Sequence, residues 1–126
     1  MPFFSDKSLS KLYTCHPDLQ DLFNEVIQHR DCSIIDGHRN EEDQNHAFAN
    51  GFSNAKWPLS EHNSLPSMAV DVMPYYPEKP HIRWDDKEGI TEFANFVEGV
   101  AAAKGINIRW GGRFKSFFDG PHYELS

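Results

Sequence analysis

The sequence predicts a single α+β domain in which helices flank a small, largely antiparallel sheet. Its 126 residues fit one domain, since domains usually run about 100–200 residues. With 39% hydrophobic and 13% aromatic residues, the chain has enough large apolar side chains for a globular core. Helical patterns come first, and short apolar runs typical of strands then alternate with further helices, which favours an α+β architecture. We therefore expect residues 1–126 to form one domain.

The N-terminal part of the chain is predicted to be helical. A short helical turn is expected over residues 7–13. A longer helix is expected over residues 17–30, because Pro17 suits a first helical position and the apolar residues after it recur at the spacing of one buried face. That face consists of Leu19, Leu22, Phe23, Val26 and Ile27.

A strand is predicted to pass directly into a helix near residue 40. Residues 33–36 form a short apolar run that ends at a glycine, and Arg39 follows at the junction, where functional sites are often built. Asn40 is a good N-cap for a helix that runs to about residue 50. This helix is expected to bury Ala47 and Phe48.

The second half of the chain combines one long helix with three more strands. The helix is predicted over residues 87–104, with Asp85 or Asp86 as its cap and Gly105 at its end. Its expected inner face consists of Ile90, Phe93, Val97, Val100 and Ala101. Strands are expected over residues 68–73, 106–110 and 121–125, and residues 52–67 are expected to be loop. Asp71 lies inside the first of these strands, where a carboxylate is costly unless it is paired or binds metal.

Charge and hydropathy exclude several classes of function. The formal net charge of −7 argues against binding nucleic acid or an anionic membrane by charge alone, because both need a cationic face. The N-terminal residues do not resemble a secretory signal, and no apolar run approaches the roughly 20 residues of a membrane span. We therefore expect a protein that is made in a cytoplasm, binds no nucleic acid and inserts into no membrane.

The two cysteines and most of the histidines are expected to have ordinary structural roles. Cys15 and Cys32 form neither a disulfide scaffold nor a four-cysteine zinc site, and we expect two buried, reduced thiols. Five of the seven histidines lie at predicted helix ends or in loops and are expected to be solvated; they are His16, His29, His38, His46 and His81.

The other two histidines have neighbours that suit a metal site. His62 precedes the strand that contains Asp71, and His122 follows Asp119 by three residues. Two histidines and one carboxylate suit a Zn²⁺ ion with one position left open for water. Asp119 is then the natural proton acceptor. Spacing alone makes this a weak metal signal.

Serine and aromatic side chains supply the competing candidates. Ser60 or Ser67 as a nucleophile is the alternative catalytic hypothesis, but neither lies in a Gly-x-Ser-x-Gly or Ser-x-x-Lys setting. Both are expected to shape the loop through hydrogen bonds to the backbone.

Five aromatic residues could line a groove but are expected to be partly core, namely Trp57, Trp84, Trp110, Tyr75 and Tyr123. Of these, only Tyr123 is expected to face a substrate groove, because it flanks a candidate ligand.

Two motifs carry a resemblance to a known family. The string Ser60-x-His62-Asn63-x-x-Pro66-Ser67-x-Ala69-Val70-Asp71 resembles the zinc motif of phage L-alanyl-D-glutamate endopeptidases. These endolysins share a superfamily with the D-alanyl-D-alanine carboxypeptidases and the vancomycin-resistance D,D-peptidases. The second half of the family pattern is similar to Trp110-Gly111-Gly112 and Phe117-x-Asp119-Gly120-Pro121-His122-Tyr123-Glu124-Leu125. Shorter matches upstream are Cys15-His16-Pro17-Asp18-Leu19, Asp36-Gly37-His38-Arg39, Gln44 and Gly51-x-Ser53.

The resemblance implies a role for each matching residue. It makes His62, Asp71 and His122 the ligands of Zn²⁺, Asp119 the catalytic carboxylate and Arg39 the group that faces the substrate carbonyl. The expected substrate-binding residues are Gln44, Ser60 and Tyr123. Two departures from the wider superfamily are visible. His62 and Asp71 are nine residues apart rather than seven, a spacing that matches the endolysin branch, and Arg113 stands where many relatives have an acid.

The resemblance also implies a fold and a biological role. We expect a fold of the hedgehog/D,D-peptidase type and cleavage of the L-Ala–D-Glu bond of peptidoglycan stem peptides during host lysis. The expected protein is a monomer, made in the host bacterial cytoplasm, that reaches the cell wall with the help of a separate holin. Two alternatives stay open: a D-Ala-D-Ala carboxypeptidase or dipeptidase, and a zinc-stabilised wall-binding module without catalysis. The presence of Asp119 and Arg39 favours an enzyme.

Overall fold

One antiparallel sheet of four strands organises residues 2–126, the part of the chain that the computed structural model describes. The strands are β1 (Cys32–Asp36), β2 (Ala69–Pro74), β3 (Ile108–Trp110) and β4 (His122–Leu125), in the spatial order β1-β2-β4-β3. The helices are α1 (Asp6–Leu12), α2 (Pro17–Val26), α3 (Glu41–Ala49) and α4 (Lys87–Lys104). The predicted α+β architecture with a small antiparallel sheet is confirmed.

The register of the sheet brings polar residues together at one end of its central strands. In the antiparallel pair of β2 and β4, Asp71 lies opposite His122. Side chains in such opposite positions have Cβ atoms about 4.5–5.5 Å apart. On the other edge of β2, the register with β1 shifts between Ile34 and Asp36, so that Asp36 also lies opposite Asp71.

The core lies between the sheet and helices α2 and α4. Phe23 of α2 meets Tyr123 of β4 edge to face, with 5.4 Å between ring centroids, a preferred arrangement for aromatic pairs. The apolar faces predicted for both helices are buried, although Val100 is only partly covered. Other buried members of the core include Leu19, Leu22, Val26, Val70, Val72, Met73, Ile90, Phe93, Val97 and Ala101.

Helix boundaries agree with the sequence where end signals are present. Helix α4 has the predicted bounds, since Asp86 accepts the N–H of Gly89 at 3.0 Å and Gly105 takes the left-handed conformation with φ +71°. The helix expected over residues 17–30 is shorter, because α2 ends at Val26. Beyond it, the N–H groups of Gln28 and His29 donate to carbonyls three residues back and that of Arg30 donates to the carbonyl of Val26, so the chain continues in turns before β1. The other predicted boundaries agree within two residues.

The buried face of α3 differs from the prediction. Phe48 is partly exposed and lies under the ammonium of Lys56, whose Nζ is 5.2 Å from the ring centroid, so the expectation that it is buried is wrong. Gln44 is fully buried instead, beside Ala47. The inner face of α3 is therefore turned toward polar groups of the following loop. Across the described residues, no helix is both long enough and apolar enough to cross a membrane.

Candidate metal centre and active site

Three side chains that are far apart in the sequence converge beside the sheet. His62 comes from a short 3-10 turn, Asp71 from β2 and His122 from β4. His62 Nε2 lies 3.2 Å from Asp71 Oδ1 and 3.3 Å from His122 Nδ1. His122 Nδ1 lies 3.4 Å from Asp71 Oδ1. The structure thus brings together the three predicted metal ligands.

The triangle formed by these three atoms has the dimensions of one metal site. Ligands about 2.0–2.1 Å from a tetrahedral centre lie about 3.3 Å from one another, and the observed edges are 3.2, 3.3 and 3.4 Å. Two imidazole nitrogens and one carboxylate oxygen are also a donor set found in zinc sites that keep a fourth position open. The group can therefore hold a metal ion.

Each histidine ring is oriented by a hydrogen bond from its second nitrogen. His62 Nδ1 donates to the carbonyl oxygen of Gly37 at 2.7 Å, and His122 Nε2 donates to Glu124 Oε1 at 2.7 Å. Such bonds decide which ring nitrogen faces a metal. Glu124 is a site residue that was not predicted. Its position two residues after His122 on a strand, and hence on the same face, is the sequence signal for it.

The charges in this group depend on one another. Burial raises the pKa of Asp71, but the charges and hydrogen bonds of the His62 and His122 imidazoles lower it by more. The pKa of Asp71 is therefore below its usual value. Burial lowers the pKa of His122, whereas hydrogen bonds with Asp71 and Glu124 raise it to about 9. At neutral pH the metal-free site therefore holds a carboxylate beside a protonated His122.

Arg39 is buried beside the metal-binding group. Its guanidinium donates to Asp36 through Nε, to Gln44 Oε1 at 3.2 Å through Nη1 and to Asp71 Oδ2 at 3.0 Å through Nη2. Its backbone N–H donates to the carbonyl of His62 at 2.8 Å. The two carboxylates offset the cost of burying the cation. Arg39 is thus held in one position at the junction of β1 and α3.

Gln44 does not face the groove, so the prediction that it binds substrate is wrong. Its Oε1 accepts from Arg39 and from Asn63 Nδ2 at 3.1 Å. Its Nε2 donates to Ser53 Oγ at 2.9 Å and to the carbonyl of Ala55 at 2.6 Å. Because both of its polar atoms are engaged inside the protein, Gln44 positions Arg39 and the loop after α3.

Asp119 lies at the edge of the metal-binding group, with 30% of its side chain exposed. Its Oδ2 is 4.0 Å from His122 Nδ1. Burial and the charge of Asp71 raise its pKa, while nearby cationic groups act in the opposite direction. A carboxylate with a raised pKa can accept a proton and deliver it later. Gly111 packs so closely that a Cβ there would collide with the backbone oxygen and the Cβ of Asp119.

Tyr123 faces the core, so the prediction that it faces the groove is wrong. It is fully buried against Phe23, and its hydroxyl has no hydrogen-bond partner among the described residues. The reason is the alternation of side chains along β4, which directs His122 and Glu124 to one face and Tyr123 to the other.

The hydroxyls of the two candidate serines form hydrogen bonds with the loop backbone. Ser60 Oγ accepts the N–H of His62 at 3.2 Å and caps the turn that carries this histidine. Ser67 is buried, and its hydroxyl donates to the carbonyl of Ala69 at 2.6 Å. These are the loop-shaping roles expected from the sequence. Ser60 also lines the groove, and its contact with substrate stays a prediction.

The candidate metal-binding group, His62, Asp71 and His122, lies at a groove with two lobes. Arg39, Phe52 and Asp119 line both lobes. The first lobe has a volume of about 320 Å³ and is also lined by Ser53, Asn54, Ala55, Leu59, Ser60, Glu61, Phe114 and Phe117. The second lobe has a volume of about 850 Å³ and is also lined by Ile35, Asp36, Asp43, His46, Ala47, Trp84 and Pro121. Trp84 was expected to be partly core, but it is exposed on the second lobe.

The thiols lie outside the site. Cys15 and Cys32 are free and buried, as predicted. Burial raises the pKa of Cys15 to about 12 and that of Cys32 also upward, so both thiols stay uncharged at neutral pH. Neither cysteine is poised to act as a nucleophile.

Fold and site together define an α+β hydrolase domain, in which a His–Asp–His group, a carboxylate and an arginine meet at a groove. The sequence matches the family model for phage L-alanyl-D-glutamate peptidases over residues 1–126, and the chain belongs to this family. The fold is similar to that of the Serratia marcescens L-Ala D-Glu endopeptidase ChiX, with a TM-score of 0.81 and 26% sequence identity over 99% of this chain and 91% of that chain. The predicted family is confirmed, and the chain is a peptidase.

Proposed function

We propose that this protein is a zinc-dependent endopeptidase that cleaves the L-Ala–D-Glu bond of peptidoglycan stem peptides. The observation that carries the proposal is the triangle of His62 Nε2, Asp71 Oδ1 and His122 Nδ1, with edges of 3.2–3.4 Å. Its dimensions and its donor atoms suit Zn²⁺, and Asp119 and Arg39 lie beside it. The family and the similarity to ChiX support the choice of bond.

The roles of the protein's own residues follow from where they lie. His62, Asp71 and His122 would hold the ion, which supplies Lewis acidity at the bond to be cleaved. Asp119 accepts the proton of the attacking water, because its raised pKa and its exposure to the groove suit a general base. The same carboxyl then delivers this proton to the amine of the departing D-Glu.

Arg39 stabilises the negative charge that develops on the substrate carbonyl oxygen. Of its five N–H donors, three are directed to Asp36, Gln44 and Asp71. Those bonds fix the guanidinium without using all of its donors. A donor held rigidly beside a developing oxyanion typically contributes about 3–4 kcal/mol to catalysis.

The biological setting forms part of the same proposal. The protein acts as a monomeric endolysin, made in the cytoplasm of the infected bacterium and given access to the wall by a separate holin. Membership of a phage peptidase family supports a role in host lysis. A net charge of −7 gives it no general attraction to polyanions.

Mass spectrometry of digested peptidoglycan tests the proposed reaction. Purified sacculi are incubated with zinc-loaded protein, with chelated protein and with an Asp119→Asn variant. We expect new N-terminal D-Glu on stem peptides with the first sample only. Release of free D-Ala would instead identify a carboxypeptidase. Zinc bound at one ion per chain without any product would leave a wall-binding module as the function.

A further inference from the structure

We propose that the first lobe binds the N-acetylmuramoyl sugar that precedes the stem peptide, so that the protein prefers sugar-linked stems over free peptides. This inference rests on the proposed function and specifies which part of the substrate each half of the groove recognises. Its ligand is an uncharged amino sugar with a lactyl ether, joined through that ether to the nitrogen of L-Ala.

The chemistry of peptidoglycan places the sugar close to the reacting bond. Only one amino acid, L-Ala, separates the lactyl group from the L-Ala–D-Glu bond. Since one extended residue spans about 3.3–3.6 Å, the sugar must meet the enzyme within roughly 10 Å of the reacting carbonyl. The ring of Phe114 lies 5.6 Å from that of His122, and the ring of Phe117 lies 5.7 Å from that of Phe114. An aromatic wall thus leads from the metal-binding group over the required distance.

The first lobe also carries exposed apolar side chains. Of the nine large apolar side chains that are exposed among the described residues, three line the first lobe: Phe52 (75%), Leu59 (77%) and Phe117 (37%). Clusters of exposed apolar groups on a groove mark ligand sites. The C–H face of a sugar ring can pack on them, while Asn54 and Ser60 in the same lobe can bond its acetamido and hydroxyl groups.

Charge does not separate the two lobes. Beside Arg39 and Asp119, which line both, the first lobe has the carboxylates of Glu61 and Glu124 and the second has those of Asp36 and Asp43. The assignment of the sugar to the first lobe therefore rests on the aromatic wall that begins at His122 and on the neutral polar groups of Asn54 and Ser60.

Two synthetic substrates test the inference. One is the N-acetylated stem tripeptide, and the other is the same tripeptide carrying N-acetylmuramic acid. We expect the zinc-loaded protein to cleave the muramoyl substrate with a kcat/KM about tenfold higher, which corresponds to about 1.4 kcal/mol. Phe117→Ala and Leu59→Ser should each bring the ratio of the two kcat/KM values toward 1. Phe3→Ala is the matched control, because Phe3 is exposed and lines neither lobe.

The possible results separate this inference from the proposed function. Equal kcat/KM for both substrates in the unmodified protein would overturn the sugar site but leave the peptidase reaction in place. Equal losses on both substrates in Phe117→Ala and Leu59→Ser would also overturn it, since the lobe would then bind peptide. Cleavage of neither substrate by zinc-loaded protein would refute both. Thermal melts and zinc content establish that each variant is folded and loaded.

Discussion

Asp119 is the residue on which the proposed reaction depends most directly. It borders the metal-binding triangle without belonging to it, since its Oδ2 is 4.0 Å from His122 Nδ1. Asp119→Ala should therefore retain zinc but lower kcat by about 10²–10⁴-fold, the usual contribution of a general base. Muropeptide release and zinc content per chain are the two measurements. His62→Ala, which removes a ligand, should lose both. Cleavage by Asp119→Ala at nearly the original rate would show that the base is another group.

Glu124 is expected to act on the metal through His122. Because its Oε1 accepts from His122 Nε2 at 2.7 Å, it fixes the ring so that Nδ1 faces the other ligands. Glu124→Gln removes the charge of that acceptor and should weaken metal affinity about 10–100-fold. Titration with Co²⁺, followed by its visible absorption, measures affinity and geometry independently of turnover. Glu92→Gln is the control, because Glu92 pairs with Arg30 on the surface. The same loss in both variants would contradict a positioning role.

The pKa of His122 makes metal binding depend on pH. In the metal-free protein its hydrogen bonds with Asp71 and Glu124 outweigh burial and raise the pKa to about 9. Below that pH, a proton must leave Nδ1 before a metal can bind, whereas Asp71 with its lowered pKa has none to lose. Affinity should then rise about tenfold per pH unit up to about pH 9. Calorimetry at pH 7 in two buffers of different ionisation enthalpy should show about one proton released per ion. An identical heat in both buffers would refute this.

The raised pKa of His122 also makes the stability of the metal-free protein depend on pH, but stability falls with rising pH whereas metal affinity increases. A histidine whose pKa is raised in the folded state stabilises the fold fully below its unfolded pKa and loses that contribution as pH rises through the folded value. For His122 this window runs from about 6.5 to about 9. Its contribution to the stability of the metal-free protein should therefore fall across the pH range in which metal affinity rises.

At the scale of elements, the turn that follows β3 sets the position of Asp119, the proposed general base. A Cβ on Gly111 would collide with the backbone of Asp119 and would approach the Cβ of His122 to 3.0 Å. Gly111→Ala should therefore displace both residues and lower kcat/KM about 100-fold, the typical cost of a 1 Å misplacement. Gly99→Ala is the matched control, because nothing lies within 4 Å of a Cβ at this helical position. It should raise the free energy of unfolding by about 0.5–1 kcal/mol without loss of activity.

The elements that could be predicted are those with local signals. Helix α4 has its predicted bounds because Asp86 and Gly105 mark its ends. No comparable signal follows Val26, and the end of α2 was placed too late. Tyr123 was assigned to the wrong face because β4 has only four residues, and which of its faces meets the core is decided by pairing with distant β2. The burial of Gln44 depends on bonds to Ser53 and Ala55, which no periodicity reveals.

At the scale of the whole molecule, the site is a product of long-range pairing. His62 and His122 are sixty residues apart, yet their facing nitrogens are 3.3 Å apart. Sequence spacing alone could not give that distance. The family motifs implied the set His62, Asp71 and His122, which the structure brings together, and its binding of a metal stays a prediction. The shape of the groove could not be predicted at all, because Phe52 and Leu59 lie in a loop without hydrophobic periodicity.

Because the ligands come from three parts of the chain, a bound metal should stabilise the whole fold. The ion would join the loop that carries His62 to both central strands, through Asp71 of β2 and His122 of β4. At a free concentration one thousand times Kd, binding to the native state adds about 4 kcal/mol, which raises the unfolding midpoint by on the order of 15 °C in a domain of this size. Calorimetric melts with zinc and with chelator measure this difference. Asp119→Asn should keep it, since all three ligands remain, and His62→Ala should lose most of it. Equal stabilisation of His62→Ala by zinc would place the ion elsewhere and would remove the basis for the metal centre.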